Sequence, residues 1–256
     1  MLNCDISEHI DWFKTYFFSE REKEVNDPEP MDLKCNHTMQ VLANAEKIVL
    51  AENFPVHVSR AALLGALYHD VGRFEQYLRY HTFKDRDSID HGNLSVEVLV
   101  ETKQLEHEES WIHETVLTAV KLHNKFILPN DLDVDVLTVC KLVRDADKID
   151  ILRVIDQHLS KTPYNPTVIL SLPDRQDIDN QVVIQAAMQD TLASYSDLQC
   201  VNDFRLLLGM WINDMNFESS KATFIEQGHA KNIVSHLPVT GPYAEARAYI
   251  LEKLCL

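Results

Sequence analysis

Ala61-Ala62-Leu63-Leu64-Gly65-Ala66-Leu67-Tyr68-His69-Asp70 is the stretch on which the fold of this chain turns. Its first eight residues read as a helix buried on every side. The two that follow, His69 and Asp70, are strong metal ligands placed where a core helix would carry Leu or Val. A buried carboxylate is costly unless positive charge compensates it, and a divalent cation is the simplest compensation. The reading therefore moves outward, to whether the rest of the chain supplies more ligands.

His37 lies in the helical stretch from Asp32 to Glu52, where Val41, Ala45 and Ile48 follow at i+4, i+8 and i+11 and share its face. Asp145 lies in the periodic segment Val134–His158, within Arg144-Asp145-Ala146-Asp147-Lys148, with Leu142, Ile149 and Leu152 on the apolar side. Asp147 and Asp150 point to other sides of that helix and read as solvated or structural. The chain thus offers His, then His-Asp, then Asp, each on its own helix. Imidazole with carboxylate suits Mn, Fe, Co, Ni or Zn, with Mg also open, better than the all-oxygen shell of Ca. Two further histidines sit at helical positions. His91, in Ser88-Ile89-Asp90-His91-Gly92, opens a helix for which Ser88 is the expected cap. His123 ends the stretch Trp111–Asn124 on the face of Val116, Ala119 and Val120.

The order His37, His69-Asp70, Asp145 resembles the H…HD…D signature of the HD-domain superfamily, whose members are mostly metal-dependent phosphohydrolases. Leu67-Tyr68-His69-Asp70-Val71-Gly72-Arg73-Phe74 and Arg144-Asp145-Ala146-Asp147-Lys148-Ile149-Asp150 are similar to its conserved segments. The resemblance runs over residues 32 to 158. It implies a helical bundle with His37, His69, Asp70 and Asp145 on one metal, His91 and His123 on a second, and Asp70 bridging. Asn124 stands where some dinuclear members carry another His. Metals so held activate water and neutralise phosphoryl charge, so no protein nucleophile is needed. The chain accordingly has neither a G-x-S-x-G nor a P-loop pattern. Asp70 and Arg73 are the expected catalytic residues, Arg73 occupying a place where related members often carry Lys.

A small phosphorylated substrate needs a cationic grip. Arg73, Arg79, His81, Lys84 and Arg86 cluster within residues 72–86 of a chain whose formal net charge is −16. With Lys148 they are the candidates for substrate binding, His81 excepted. The other histidines read as surface or core residues. Two other readings compete with hydrolysis of a nucleotide or phosphomonoester. HD-fold diiron oxygenases, resembling myo-inositol oxygenase and a phosphonate-cleaving relative, use a similar ligand set. A non-catalytic signalling module would have a degenerate site, against which the intact ligand set argues. Phe74-Glu75-Gln76 lacks the Glu-Asp pair of relatives that degrade guanosine tetraphosphate, and Gly241-Pro242-Tyr243 is not the Gly-Tyr-Pro of cyclic-dinucleotide hydrolases.

Composition supports an all-α enzyme. Of 256 residues, 45% are hydrophobic and 25% charged, with only 6 glycines and 9 prolines, and alternating β-branched runs are few. The expected organisation is an HD-domain bundle with an N-terminal helix over residues 1–160 and a helical extension over 161–256, divided at Lys161-Thr162-Pro163-Tyr164-Asn165-Pro166. The extension is expected to pack on the bundle, closing the active site or forming a homo-oligomer surface. Helices are expected at Ser7–Glu24, Ile178–Ala193, Asp203–Met215 and Tyr243–Leu254. Cys4, Cys35, Cys140, Cys200 and Cys255 form no C-x-x-C, which points to reduced thiols and the cytoplasm. Met1-Leu2-Asn3-Cys4-Asp5 has no signal-peptide character, and no apolar run is long enough to span a membrane. The acidic balance disfavours long nucleic acid as a partner.

Overall fold

The computed structural model describes residues 4–161, 164, 168–175 and 177–255. Met1-Leu2-Asn3 and four of the six residues at the expected 161–166 break lie outside that set. The described residues are helical, with no strand among them. They form two compact units, Met1–Asp147 and Lys148–Leu256.

The first unit contains α1 (Ser7–Arg21), α2 (Glu29–Glu52), α3 (Val56–Tyr68), α4 (Gly72–Tyr80), α5 (His91–Thr102), α6 (Ser110–Leu122) and the start of α7 (Val134–Leu159). At its centre is α3, buried from Val58 to Tyr68 except for Arg60. Its small residues let neighbours come close: a Cβ on Gly65 would lie 2.9 Å from the Val143 side chain on α7 and 3.6 Å from Ala119 on α6. α2 and α6 flank α3. α1 lays Phe13 and Phe17 against Phe74 of α4, with ring centroids 5.9 and 5.4 Å apart. α2 begins with Pro30 in its first turn, where a missing N–H costs nothing, and ends on Asn53 in the left-handed conformation (φ 53°).

A tight turn joins α3 to α4, and Arg73 N donates to Asp70 O at 2.9 Å. Gly72 makes this possible. A Cβ there would sit 2.5 Å from the backbone nitrogen of Ser95, and its own N–H donates to Ser95 Oγ at 2.9 Å. The cap of α5 is Asp90, which accepts from Asn93 N at 3.0 Å. The expected cap, Ser88, instead accepts from Gln76 Nε2 at 2.9 Å and donates to Lys84 O at 2.8 Å, fixing the segment before the helix.

The second unit holds the rest of α7 and α8 (Gln181–Met188), α9 (Val201–Met210), α10 (Glu218–Gln227), α11 (His229–Ser235) and α12 (Ala244–Lys253). α9 is buried along its whole length, packed by α8, α11 and α12. Its Asp203 is satisfied inside: Oδ1 accepts from Tyr243 OH at 2.5 Å and Oδ2 from Asn180 Nδ2 and Gln199 N, each at 2.7 Å. The expected Ile178–Ala193 helix is shorter, and Asp203–Met215 starts earlier and tightens into a 3₁₀ turn at Trp211–Asp214.

The division between the units falls inside α7, after Asp147. The first part of α7 packs with the first unit through Val143 and through Ala146 O, which accepts from Asn44 Nδ2 at 3.3 Å. Beyond Asp147 its side chains turn to the second unit: Lys148 pairs with Asp214, and Asp156 accepts from His229 Nδ1 at 2.9 Å and Asn232 Nδ2 at 2.7 Å. α7 ends at Leu159. Among the described residues no helix is long and apolar enough to cross a membrane, and all five cysteines are free.

Candidate metal centre

Five of the six expected ligands converge within the first unit. His37 is on α2, His69 and Asp70 follow α3, His91 opens α5, and His123 follows α6. All five are buried. Three of the imidazoles are held by acceptor-only partners. His69 Nδ1 donates to Ala66 O at 2.8 Å, His123 Nδ1 to Val120 O at 2.7 Å, and His91 Nδ1 to an Asp85 carboxylate oxygen at 2.6 Å. A carbonyl or carboxylate cannot donate, so the proton sits on Nδ1 in each ring and Nε2 presents a lone pair. Metal-binding histidines are oriented by partners of this kind.

Asp70 lies between two pairs of these nitrogens. Its Oδ2 is 3.7 Å from both His37 Nε2 and His69 Nε2. Its Oδ1 is 3.5 Å from His91 Nε2 and 3.7 Å from His123 Nε2. Within each pair the Nε2 atoms are close, 3.3 Å for His37 and His69 and 2.9 Å for His91 and His123. With the Nδ1 protons of His91 and His123 already donated elsewhere, their facing lone pairs call for a positive centre. The donor set therefore fits divalent cations, as two groups, His37-His69-Asp70 and Asp70-His91-His123, that share Asp70.

A second carboxylate, Asp147, stands beside the first group. Asp147 Oδ1 lies 3.1 Å from His37 Nε2 and 3.7 Å from His69 Nε2. The sequence alone gives Asp147 a solvated or structural place and Asp145 the ligand role. Two residues along a helix are separated by about 200° of rotation, so Asp145 and Asp147 leave α7 in different directions. Asp145 is fully buried.

The electrostatics suit cation binding. Burial pushes the His69 imidazole down to about 4, against the opposing pull of Asp70 and Asp147. Burial, with Arg73 nearby, pushes His91 down to about 4 as well. Both rings are neutral near pH 7, the form that binds a metal. Burial would raise the Asp70 carboxyl, but Lys34, His69 and Arg73 outweigh it and hold the group well below the usual carboxylate range. Burial opposes ionisation of Asp147 too, and the hydrogen bond with His37 and the nearby His69 overcome it.

Arg73 reaches the centre and is tied into it. Nε donates to Asp70 Oδ1 at 3.2 Å, NH1 to Phe83 O at 2.6 Å, Gln76 Oε1 at 2.8 Å and Asp85 Oδ1 at 3.1 Å, and NH2 lies 3.2 Å from His91 Nε2. The other basic candidates are not gathered there. Arg79 pairs with Glu75, exposed Arg86 lies 3.6 Å from Asp87, and exposed His81 is the left-handed cap of α4, 3.5 Å from Glu24. Lys84 precedes the 3₁₀ turn Asp85–Asp87, and Lys148 is paired with Asp214 in the second unit. Asn124 is a supporting residue: its Nδ2 donates to Asp85 Oδ2 and Asp90 Oδ1, each at 3.3 Å.

Three residues here were not singled out from sequence. Asp85 orients His91, and buried Gln76 ties Asp85, Ser88 and Ile89 O together through Nε2. Lys34 Nζ donates to Asp70 Oδ2 at 2.7 Å. Lys34 carried a readable signal, since it lies one turn before His37 on the same helix face.

A family model described as HD domain matches residues 35–175. Searches of curated proteins and of solved structures gave no match.

Proposed function

Because the chain belongs to the HD-domain family, we propose that it is a metal-dependent phosphohydrolase that cleaves a small phosphoester, a nucleotide or a phosphomonoester. The observation that carries this reading is the division of Asp70 between two histidine pairs, Oδ2 facing His37 and His69 and Oδ1 facing His91 and His123. In the proposal His37, His69, Asp70 and Asp147 hold one divalent ion, and Asp70, His91 and His123 hold a second. Bound there, such ions lower the pKa of water and neutralise phosphoryl oxygens.

The chain's own residues prepare that chemistry. Ala66 O, Val120 O and Asp85 fix three imidazoles in the tautomer that turns Nε2 inward. Neutral rings beside an ionised Asp70 let a divalent cation bind near pH 7 without first displacing protons. Arg73 orients the Asp70 carboxylate and ties it to the His91 side of the site, so its part is positioning as well as charge. The buried surroundings strengthen each of these interactions relative to water.

The test is phosphate release from nucleotides, sugar phosphates and phosphonates, with Mg²⁺, Mn²⁺, Co²⁺ or anaerobic Fe²⁺, and Asp70→Ala as the blank. Anaerobic release that vanishes in the variant is the expected result. Release that requires both iron and O₂ would overturn hydrolysis in favour of oxygen chemistry at the same ligands.

A further inference from the structure

We infer that Lys34 is a binding residue for an anionic, phosphate-like group of the substrate, and that it couples anion binding to divalent-metal binding. The inference rests on the metal-centred reading above and adds to it a residue outside the ligand set.

Two cations share Asp70, and they differ in how far the protein has committed them. Arg73 spreads its N–H groups over Asp70, Gln76, Phe83 O, Asp85 and His91. Among the described residues Lys34 makes one ion pair, with Asp70 Oδ2 at 2.7 Å, and its ammonium lies 5.6 Å from the centroid of the Phe83 ring. An ammonium has three N–H donors, so two remain for a ligand. The Lys34 side chain is 18% exposed, which leaves a route to the group while keeping it in low-dielectric surroundings. Its flexible stem allows the ammonium to swing off one acceptor and onto another, which the braced guanidinium of Arg73 cannot do.

Lys34 also sits on the oxygen of Asp70 that faces His37 and His69. A divalent ion taken up by that pair would share the carboxylate with an ammonium. Like charges at such separation repel, so Lys34 opposes the metal when nothing else is bound. An oxyanion that meets both removes the repulsion and gives the two spare N–H groups acceptors. Metal and anion then favour one another reciprocally, as binding linkage requires. The ligand class is a group with several anionic oxygens on one centre, such as a phosphoryl group.

The experiment is calorimetric titration of Mn²⁺ into the full chain and into Lys34→Met and Lys34→Arg, each with and without inorganic phosphate. For the wild type, phosphate is expected to tighten Mn²⁺ binding by about 5- to 150-fold, the usual range of coupling. Lys34→Met is expected to bind Mn²⁺ more tightly than the wild type without phosphate and to lose most of the phosphate gain. Lys34→Arg keeps that gain. If Lys34→Met does not melt cooperatively, Lys34→Gln takes its place. A Lys34 variant that binds Mn²⁺ no tighter than the wild type and keeps the full phosphate gain overturns the inference. A wild type that takes up no Mn²⁺ in either condition overturns the metal-centred reading itself.

Discussion

Removing the Asp85 carboxylate should weaken one metal position and spare the other. Asp85 Oδ2 accepts from His91 Nδ1 at 2.6 Å, and Oδ1 accepts from Arg73 NH1 and Gln76 Nε2, each at 3.1 Å. The hydrogen bond from His91 and the charge of Arg73 hold this carboxyl far below its usual range against the opposing effect of burial. In Asp85→Ala the His91 ring loses the acceptor that fixes its tautomer and orientation. A hydrogen bond to a charged group contributes about 1.5–3 kcal/mol. Asp85 is about a third exposed, so the lower half of that range applies. The corresponding loss in affinity is about 10- to 45-fold, inside the 10- to 100-fold usual for an outer-shell partner of a metal-bound histidine. Calorimetric titration with Mn²⁺ would resolve this as one position weakened by that factor and one unchanged. Asp85→Asn should fall between, because its amide oxygen can still accept from His91 while its NH₂ faces the donors of Arg73 and Gln76. Equal weakening of both positions, or of neither, would refute the assignment of Asp85 to His91.

Asp147→Asn should lower metal affinity at the His37–His69 position by more than about 100-fold, exceeding an outer-shell effect, whereas Asp145→Asn should change stability and leave metal affinity within a few-fold; metal content of the two purified variants distinguishes them. The metal-free protein should lose stability as pH falls from about 6.5 to about 4. His69 and His91 have folded pKa values near 4, below the unfolded value, so the unfolded chain binds more protons in that window. Each ring accounts for at most about 3 kcal/mol. The depressed carboxyls of Asp70 and Asp147 extend the loss to lower pH, and thermal melts across this range should show a midpoint that falls with acid rather than rises. Gly72→Ala should destabilise the first unit by about 1–3 kcal/mol, since the added Cβ meets backbone that cannot rotate away; a chemical melt unchanged from the wild type would contradict the close approach of α4 and α5.

The ligand helices were legible because each carries a polar residue in an apolar face. Ala61–Tyr68 left no doubt of a buried helix, and His37 and His123 stood among Val, Ala and Ile at helical spacing. The choice between Asp145 and Asp147 was not legible. α7 buries Val139, Cys140, Leu142, Val143, Ala146 and Ile149, with Asp145 and Asp150 among them. With so much of its surface covered, apolar periodicity does not say which carboxylate faces the imidazoles. Asp85 was unreadable because it acts from a 3₁₀ turn, whose place is set by Gln76 and Ser88 rather than by any periodic pattern. In the second unit, α10 and α11 were missed: Glu218–Gln227 is mostly polar and α11 is short, so neither presents a long apolar stripe. The division inside α7 has a related cause, since a continuous helix gives no compositional sign of where its side chains change partners.

The most direct test of the account is the electron paramagnetic resonance spectrum and metal content of the chain equilibrated with Mn²⁺, beside Asp70→Asn. A carboxylate shared between His37-His69 and His91-His123 predicts two manganese ions per chain with an exchange-coupled spectrum, and loss of the coupling in the variant. A single ion per chain, or two uncoupled ions whose spectrum Asp70→Asn leaves unchanged, would contradict it.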